Sequence, residues 1–441
     1  MRNGGKRPII KQITAADATY LYKVPPIYCA VFGISTLFVL IAFLFDDPSQ
    51  LFFNYYTILT SRCALVTDYI ALAGIGASLM NAAIMGYFYL SLLIALKREA
   101  DGKLVAGLFV AMGFSLFGKN IFNTLPIFIG VLLYTRFYRV KFSSLFSSAI
   151  FSATVSPLVS EVAFFGGWTN PAKIIVAYAI GMFIGFIFPV VIEASKRMHR
   201  GYCLYNAGAA GGFIAIFFAG ILRSAGKDIV PGQYWDTSNT LLMSSIAYTV
   251  GVSMILLGVI ADKPANALSK FRHLLNERDV NENDYLSKYG YTCFINIGLM
   301  CIAATSIMLV LGVPINGPVL GGIFTVAGFS ANGKHLKNTL PIFLGSIIAT
   351  HMGPFASTSI SYPLAILFST GLAPISGKHG WFWGVLIGFL HVTVASFTGS
   401  ICGGLNLYNN GFAGSFVAIT FVPMIVFFKE LYTHQRRDIQ V

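Results

Sequence analysis

Apolar runs long enough to cross a bilayer alternate along this chain with short polar breaks, many of them basic, a pattern that predicts helices packed in a membrane. Ile27 to Phe45 makes a first crossing that ends at Asp46 and Asp47, and after a polar, aromatic loop Tyr69 to Leu96 returns to Lys97, Arg98 and Lys103. Two short arms follow, Leu104 to Phe117 and Ile121 to Tyr134, divided by Gly118-Lys119-Asn120. Each arm of 14 residues makes about 21 Å of helix against roughly 30 Å of hydrocarbon, so a hairpin returning to Arg136, Arg139 and Lys141 is the simplest arrangement. Irregular backbone at such a turn is tolerated only where protein or a water-filled cavity covers it. Ser143 to Phe165 then goes out, Ile174 to Ala194 comes back to Lys196, Arg197, His199 and Arg200, Leu204 to Leu222 leads out, and Leu241 to Ile260 returns. Residues 262–288 form the one long charged stretch and read as a linker. Beyond it come Tyr289 to Leu311, two short arms flanking Gly333-Lys334-His335, Ala356 to Leu372, Phe382 to Ile401 and Leu405 to Phe428.

The second half repeats the first. Gly113 to Gly130 returns 215 residues later as Gly328 to Gly345, with 12 of 18 positions identical, among them Gly118/Gly333, Lys119/Lys334, Asn123/Asn338, Thr124/Thr339 and Pro126/Pro341. Leu204 to Ile216 returns at an offset of 203 as Leu407 to Ile419, with 9 of 13 identical, including Tyr205/Tyr408, Asn206/Asn409, Gly208/Gly411 and Gly211/Gly414. Counting crossings, the first copy starts outside near Tyr69 and the second inside near Tyr289, so the copies lie upside down relative to each other. Charge agrees: basic residues flank the first hairpin, whereas in the second they gather at the tip, as Lys334, His335 and Lys337. The expected fold is thus all-α, a polytopic membrane protein with two inverted-topology repeats, each with a helical hairpin of short helices and a Gly-rich half-helix. The expected division is a cytoplasmic segment at 1–25, a peripheral first helix and outer loop at 26–68, a first repeat at 69–225, a connecting helix at 226–261, a cytoplasmic linker at 262–288, the inverted repeat at 289–428 and a cytoplasmic tail at 429–441.

Composition narrows the class. With 56% hydrophobic and 11% charged residues the chain has too little polar surface to sit in water. Its net charge of +13 comes from clusters beside apolar spans, so topology accounts for it and nucleic acid is not expected as a partner. Cys29, Cys63, Cys203, Cys293, Cys301 and Cys402 show no metal spacing and read as small core residues. The basic, polar start suggests no cleavable signal peptide, and both termini are expected in the cytoplasm.

Candidate chemistry concentrates in the repeated motifs. Tyr205, Asn206 and Gly208, with Tyr408, Asn409 and Gly411, stand at the starts of Gly-rich half-helices, where a hydroxyl, an amide and free backbone N–H groups can be offered to a solute. Alternatively the two Asn side chains cap their helices and the glycines permit tight packing. Asn123 and Asn338 read as caps with Pro in the first turn, and Asn123, Thr124, Asn338 and Thr339 are candidate pore-lining residues. Gly113-x4-Gly118-Lys119 and its copy imitate a phosphate-binding loop, but Asn120 and His335 stand where Ser or Thr should hold magnesium. Lys119 and Lys334 then either attract an anion beside a short helix or reach interfacial water from the hairpin tips. Glu161 is either near the outer interface or an ion-coupling site, and His351 and His391 are lone helix-contact candidates. No catalytic set emerges, so the chain is not expected to be an enzyme, and no metal or cofactor is implied.

Over nearly its full length the chain resembles an uncharacterised bacterial multi-pass membrane family, a domain of unknown function. Asn170-Pro171, the helix that follows, Tyr205-Asn206 and Gly211 are similar to the part of urea transporters where a crossing helix leads into a half-helix, and Asn123-Thr124-Leu125-Pro126 is loosely similar to their Asn-Pro turn. That resemblance implies inverted repeats, half-helices lining a central pore and a trimer. It departs in lacking the Leu-Pro-x-x-Thr-x-Pro-Phe signature and in placing Lys at the hairpin turns. The function expected is passage of a small polar solute through the bacterial inner membrane, channel-like or facilitative; ion- or proton-coupled carriage of a small anion and a non-transporting scaffold are the alternatives.

Overall fold

The computed structural model describes residues 25–166, 169–227, 229, 232–262, 264–278, 284–352 and 360–438. The basic N-terminal cluster from Arg2 to Lys11 and the start of the Ala356 to Leu372 span lie outside the described residues. The described residues form α-helices and no strand, and nine of their helical segments are long and apolar enough to cross a membrane. The chain is a multi-pass, all-helical membrane protein.

In the first half α1 (Pro26–Phe45) packs along α3 (Tyr69–Leu96), and the loop between them contains a further helix, α2 (Pro48–Thr60). Asp68 starts α3 by accepting from the Ile70 N–H at 3.0 Å. Asp101 starts α4 (Gly102–Phe114) by accepting from the Leu104 N–H at 2.7 Å. The second short arm, α5 (Ile121–Phe137), begins earlier than its proline suggested, so Asn120 is its cap and Asn123 is not. The Asn120 N–H donates to Asn123 Oδ1 at 3.0 Å and the Asn123 N–H to Asn120 Oδ1 at 3.1 Å, a reciprocal pair that satisfies two donors at once. Pro126 therefore sits inside the helix, its ring against Gly181. The arms meet at Gly118, whose φ of 80° suits glycine, and splay apart, with α6 (Phe146–Ser152) packed against both.

Ser143 to Phe165, expected as one crossing, is broken in its middle. A short 3-10 turn at Ala153–Val155 separates α6 from α7 (Ser156–Phe164), where Pro157 lies in the first turn. Then α8 (Pro171–His199), capped by Asn170, runs alongside α5 so closely that a Cβ on Gly185 would lie 1.9 Å from the Ile127 carbonyl oxygen. The first half ends with α9 (Asn206–Ser224).

The second half repeats these elements: α10 (Thr240–Asp262), then α11 (Pro264–Leu274) and α12 (Tyr285–Tyr289) in the linker, and α13 (Thr292–Val310), against which α10 packs as α1 packs on α3. The short arms are α14 (Gly317–Gly328) and α15 (Leu336–His351), joined through Gly333 at a φ of 102°. The cap is again one turn earlier than expected, at His335, and Asn338 is its partner. A second break, at Thr370–Leu372, divides α16 (Tyr362–Ser369) from α17 (Ala373–His379); α18 (Trp381–Ile401) and α19 (Asn409–Asp438) complete the chain. A Cβ on Gly345 would lie 1.8 Å from the Val385 oxygen, so α15 meets α18 as α5 meets α8.

Where a helix is broken inside the bilayer, an asparagine closes the gap, twice over. Asn81 Nδ2 donates to the carbonyls of Ser115 and Lys119 at 2.6 and 2.8 Å; Asn296 Nδ2 donates to those of Ser330 and Lys334 at 2.8 and 2.7 Å. Asn123 and Asn338 Nδ2 each donate, at 3.0 Å, to the carbonyl of the turn glycine. The short arms α4 and α14 pack on each other antiparallel: Gly102 lies against the Ala331 carbonyl and Gly317 against that of Leu116. Asp284, in the linker, accepts from the Gly102 N–H at 2.9 Å and pairs in an isolated bridge with Asn332, while Asp68 bridges Phe117 and lies against Gly317.

Two outcomes follow. Asn81→Leu strands two buried carbonyls and should lower stability by about 3 kcal/mol, with Asn296→Leu costing the same, both read from unfolding in detergent; an unchanged midpoint would show that the turn holds itself. Gly185→Ala should cost about 1–3 kcal/mol by forcing α8 off the Ile127 carbonyl, whereas Gly220→Ala, where a methyl has open space, should cost nothing.

Candidate functional site

The two helix breaks and the two half-helix starts converge. The extended approach to α9 donates the Leu204 N–H to the Gly371 carbonyl at 2.8 Å, and the approach to α19 donates the Leu407 N–H to the Thr154 carbonyl at 2.9 Å. Each approach thus rests on the break of the other half. There Gly208 meets Gly411 backbone to backbone; a Cβ on Gly208 would lie 2.6 Å from the Gly411 Cα. These two glycines serve contact between the half-helices.

Tyr205 and Tyr408, both buried, face each other with ring centroids 4.6 Å apart. Phe329 packs on Tyr205 at 4.8 Å, and Phe114 and Phe368 pack on Tyr408 at 5.3 and 5.4 Å. Aromatic rings therefore fill the centre, and no open pore passes between the half-helices.

Lys334 enters this cluster. Its Nζ donates to the Tyr205 hydroxyl and, at 2.8 Å, to Thr370 Oγ1, and stands 4.3 Å from the Tyr205 ring centroid. Lys119, its copy, points at the Ile150 carbonyl, 3.4 Å away, and lies 5.7 Å from the Tyr89 ring. Neither side chain reaches interfacial water, for Lys119 is 1% and Lys334 0% exposed, and neither forms an ion pair among the described residues. A lysine amine wrapped in hydroxyls and ring faces, with no carboxylate paired to it among the described residues, is costly to keep in a membrane.

The two starts differ in access. A cavity of about 840 Å³ opens from the end of the bundle that carries Lys103, Lys196, Arg197 and Arg200, and reaches Cys203, Leu204 and Asn206. Asn206 follows the residue that begins the helix, Tyr205, which makes no side-chain cap, and its side chain lies beside that of His199. Asn409 has no such opening: it is buried and its amide is bonded to Thr398 of α18. The opposite end is closed by the 61–68 segment and the chain near Tyr234, with the Leu65 N–H donating to the Gly404 carbonyl at 2.9 Å and the Tyr234 N–H to that of Val66 at 3.3 Å.

The remaining sequence candidates fall elsewhere. Asn123, Thr124, Asn338 and Thr339 are buried in the turns; the Asn side chains close the caps, and Thr339 bonds back to the His335 carbonyl at 2.9 Å. Glu161 is paired with Arg62, Oε2 to Nη2 at 2.7 Å, beside a smaller cavity of about 270 Å³ at the closed end. His391 is buried against Asn410 at 3.3 Å and His351 bonds within its own helix. Sequence reading missed Asn81, Asn296, Thr154 and Thr370. A signal existed for the first pair, a polar residue inside an apolar span repeated at the 215-residue offset of the motif.

Among the described residues no group of His, Cys, Asp or Glu could hold a metal ion. No curated protein and no solved structure matches this chain. One family model does, over residues 47–224 and 263–427, and the chain therefore belongs to the family described as protein of unknown function, DUF1576.

Proposed function

We propose that the chain is a membrane transport protein, two repeats of opposed topology whose half-helices start at a shared centre and pass a small polar solute between them. The observation that carries this is one-sided access: Asn206 borders a cavity that opens at the basic end, while its counterpart Asn409 is sealed beneath the opposite end. Two equivalent sites, one reachable and one closed, are what a carrier presents when caught facing one way. Antiparallel packing of α4 on α14 and the doubled bonds of Asn81 and Asn296 support the inverted repeat. The basic end then faces the cytoplasm of a bacterial inner membrane.

The aromatic plug favours a gated carrier over the open, urea-transporter-like channel, because Tyr205 and Tyr408 must part before anything crosses. Lys334 is the group that the gate would release. No step here requires bond chemistry, so the reading is of a transporter and not of an enzyme.

With the native cysteines replaced, Asn206→Cys in sealed vesicles should react with a membrane-impermeant thiol reagent from the basic side alone. Asn409→Cys should react slowly from the other side, through a minor outward-facing population. Simultaneous labelling of one site from both faces would mean a channel, and an Asn409→Cys that never reacts would mean a scaffold. Lys334→Met keeps side-chain length without the ammonium, so thermal stability should hold or rise while labelling of Asn409→Cys changes several-fold; a fall in stability with unaltered labelling would make the lysine structural.

A further inference from the structure

The cavity at the basic end carries more than its position. Its lining includes Lys196 and Arg197 on the last turn of α8 and, four and three residues on, Arg200 just beyond it, with Lys103 from the start of α4 across the opening. None of these four is in an ion pair or side-chain hydrogen bond among the described residues. The acidic side chains nearby are differently placed. Asp101 is consumed by the Leu104 N–H and Arg98, at 2.7 and 2.6 Å. Asp284 accepts from the Gly102 and Ser287 N–H groups at 2.9 and 3.0 Å and from the Ser287 hydroxyl at 2.6 Å. Glu193, on the cationic face of α8, and Asp284 are the lining carboxylates without a cationic partner among the described residues, two negative charges against the four unpaired positive ones, while Lys288 is paired with Glu277 and Asp101 with Arg98.

Topology alone would scatter basic residues over the end of the bundle, as Arg136 and Arg139 are scattered, outside this cavity. Here they ring a concave volume whose lining includes Asn206, the first residue of a half-helix, where the positive end of the helix dipole favours an anion. A cavity of about 840 Å³ is far larger than a monatomic ion or a urea molecule needs, and it suits a ligand of the size usually held in small-molecule sites.

We infer that this cavity is a binding site for a small multivalent organic anion, of the di- or tricarboxylate kind, and that this is the class of solute offered to the half-helices. Lys196, Arg197 and Arg200 collect the charge, Lys103 closes on it from the facing helix, and the start of α9 receives one anionic group. The buried Lys334 lies farther along the same route and offers the next positive charge once the tyrosines separate. The inference rests on reading the cavity as the entry to a carrier.

The full chain, purified in a neutral detergent without anionic lipid, is melted in citrate, in inorganic phosphate and in urea at millimolar concentration, with ionic strength held constant by potassium chloride. Citrate should raise the midpoint by about 3 °C, phosphate by less and urea not at all. The triple variant Lys196→Gln, Arg197→Gln, Arg200→Gln should lose most of that rise, and the control Arg136→Gln, Arg139→Gln should keep it. Absence of a citrate shift, an equal shift in urea, or equal loss in both variants overturns the inference. Phosphate matching citrate would overturn the assignment to polycarboxylates in favour of a general anion seat. If citrate binds but Asn409→Cys never becomes accessible, the anion site stands and the carrier reading fails; if access alternates but citrate does nothing, the carrier stands for another solute.

Discussion

A helix broken inside a bilayer exposes carbonyls and N–H groups that no water can reach, and most of this protein's architecture answers that constraint. Four breaks interrupt the apolar runs: the turns at Gly118 and Gly333, and the 3-10 interruptions at Ala153–Val155 and Thr370–Leu372. The turns are closed from within by Asn123 and Asn338 and from the neighbouring long helix by Asn81 and Asn296. The interruptions are closed by the other half of the molecule, through the backbone of Leu204 and Leu407. Because each half completes the hydrogen bonding of the other, neither could keep its broken helices dry alone.

That interdependence explains where function can live. Continuous helices satisfy their own backbone and leave nothing to offer a solute, whereas a broken one brings polar atoms to membrane depth and must bury them against a partner. Tyr205, Tyr408, Thr154, Thr370 and Lys334 are all held at such breaks. The two halves use equivalent positions unequally. Thr154 ties Asn406 and the Tyr408 N–H into its network, at 2.9 and 3.1 Å, while Thr370 is tied to Lys334 and Tyr205. A repeat that folds once in each of two local arrangements already contains both arrangements in its repertoire, and exchanging them would move the opening from one end of the bundle to the other.

Much of this was legible in the chain because a membrane leaves a coarse imprint. Span length is fixed by bilayer thickness, so the long apolar runs were readable, and the duplicated Gly-Lys-Asn-Thr-Pro motif named both short-arm turns before any coordinates. Two kinds of detail were not readable. The break in Ser143 to Phe165 leaves mean hydropathy untouched, since Ala153, Thr154 and Val155 are as compatible with an apolar helix as with a 3-10 turn, and only Pro157 hinted at it. The fate of Lys119 and Lys334 was invisible for another reason: whether a long side chain snorkels to water or turns inward depends on which residues surround its Cα in space, and those come from α3, α6 and the break at Thr370–Leu372.

The glycines complete the argument about asymmetry. Gly208 and Gly411 hold the half-helix starts so close that no side chain intervenes, which fixes the centre as a pivot rather than a chamber. On the carrier reading a solute would not rest midway on the axis; it would be held on one side of the tyrosine pair or the other. The cavity bordering Asn206 is such a side, floored by one half-helix and roofed by basic residues. On the other side Asn409 is bonded to Thr398, and the 61–68 segment lies against Gly404, its Asp68 also receiving the Asp236 N–H at 2.9 Å. In the proposed carrier, opening that side would require the Leu65 and Tyr234 bonds to break and the Asn409 amide to leave Thr398, so the strength of those few hydrogen bonds would set how often it faced the other way.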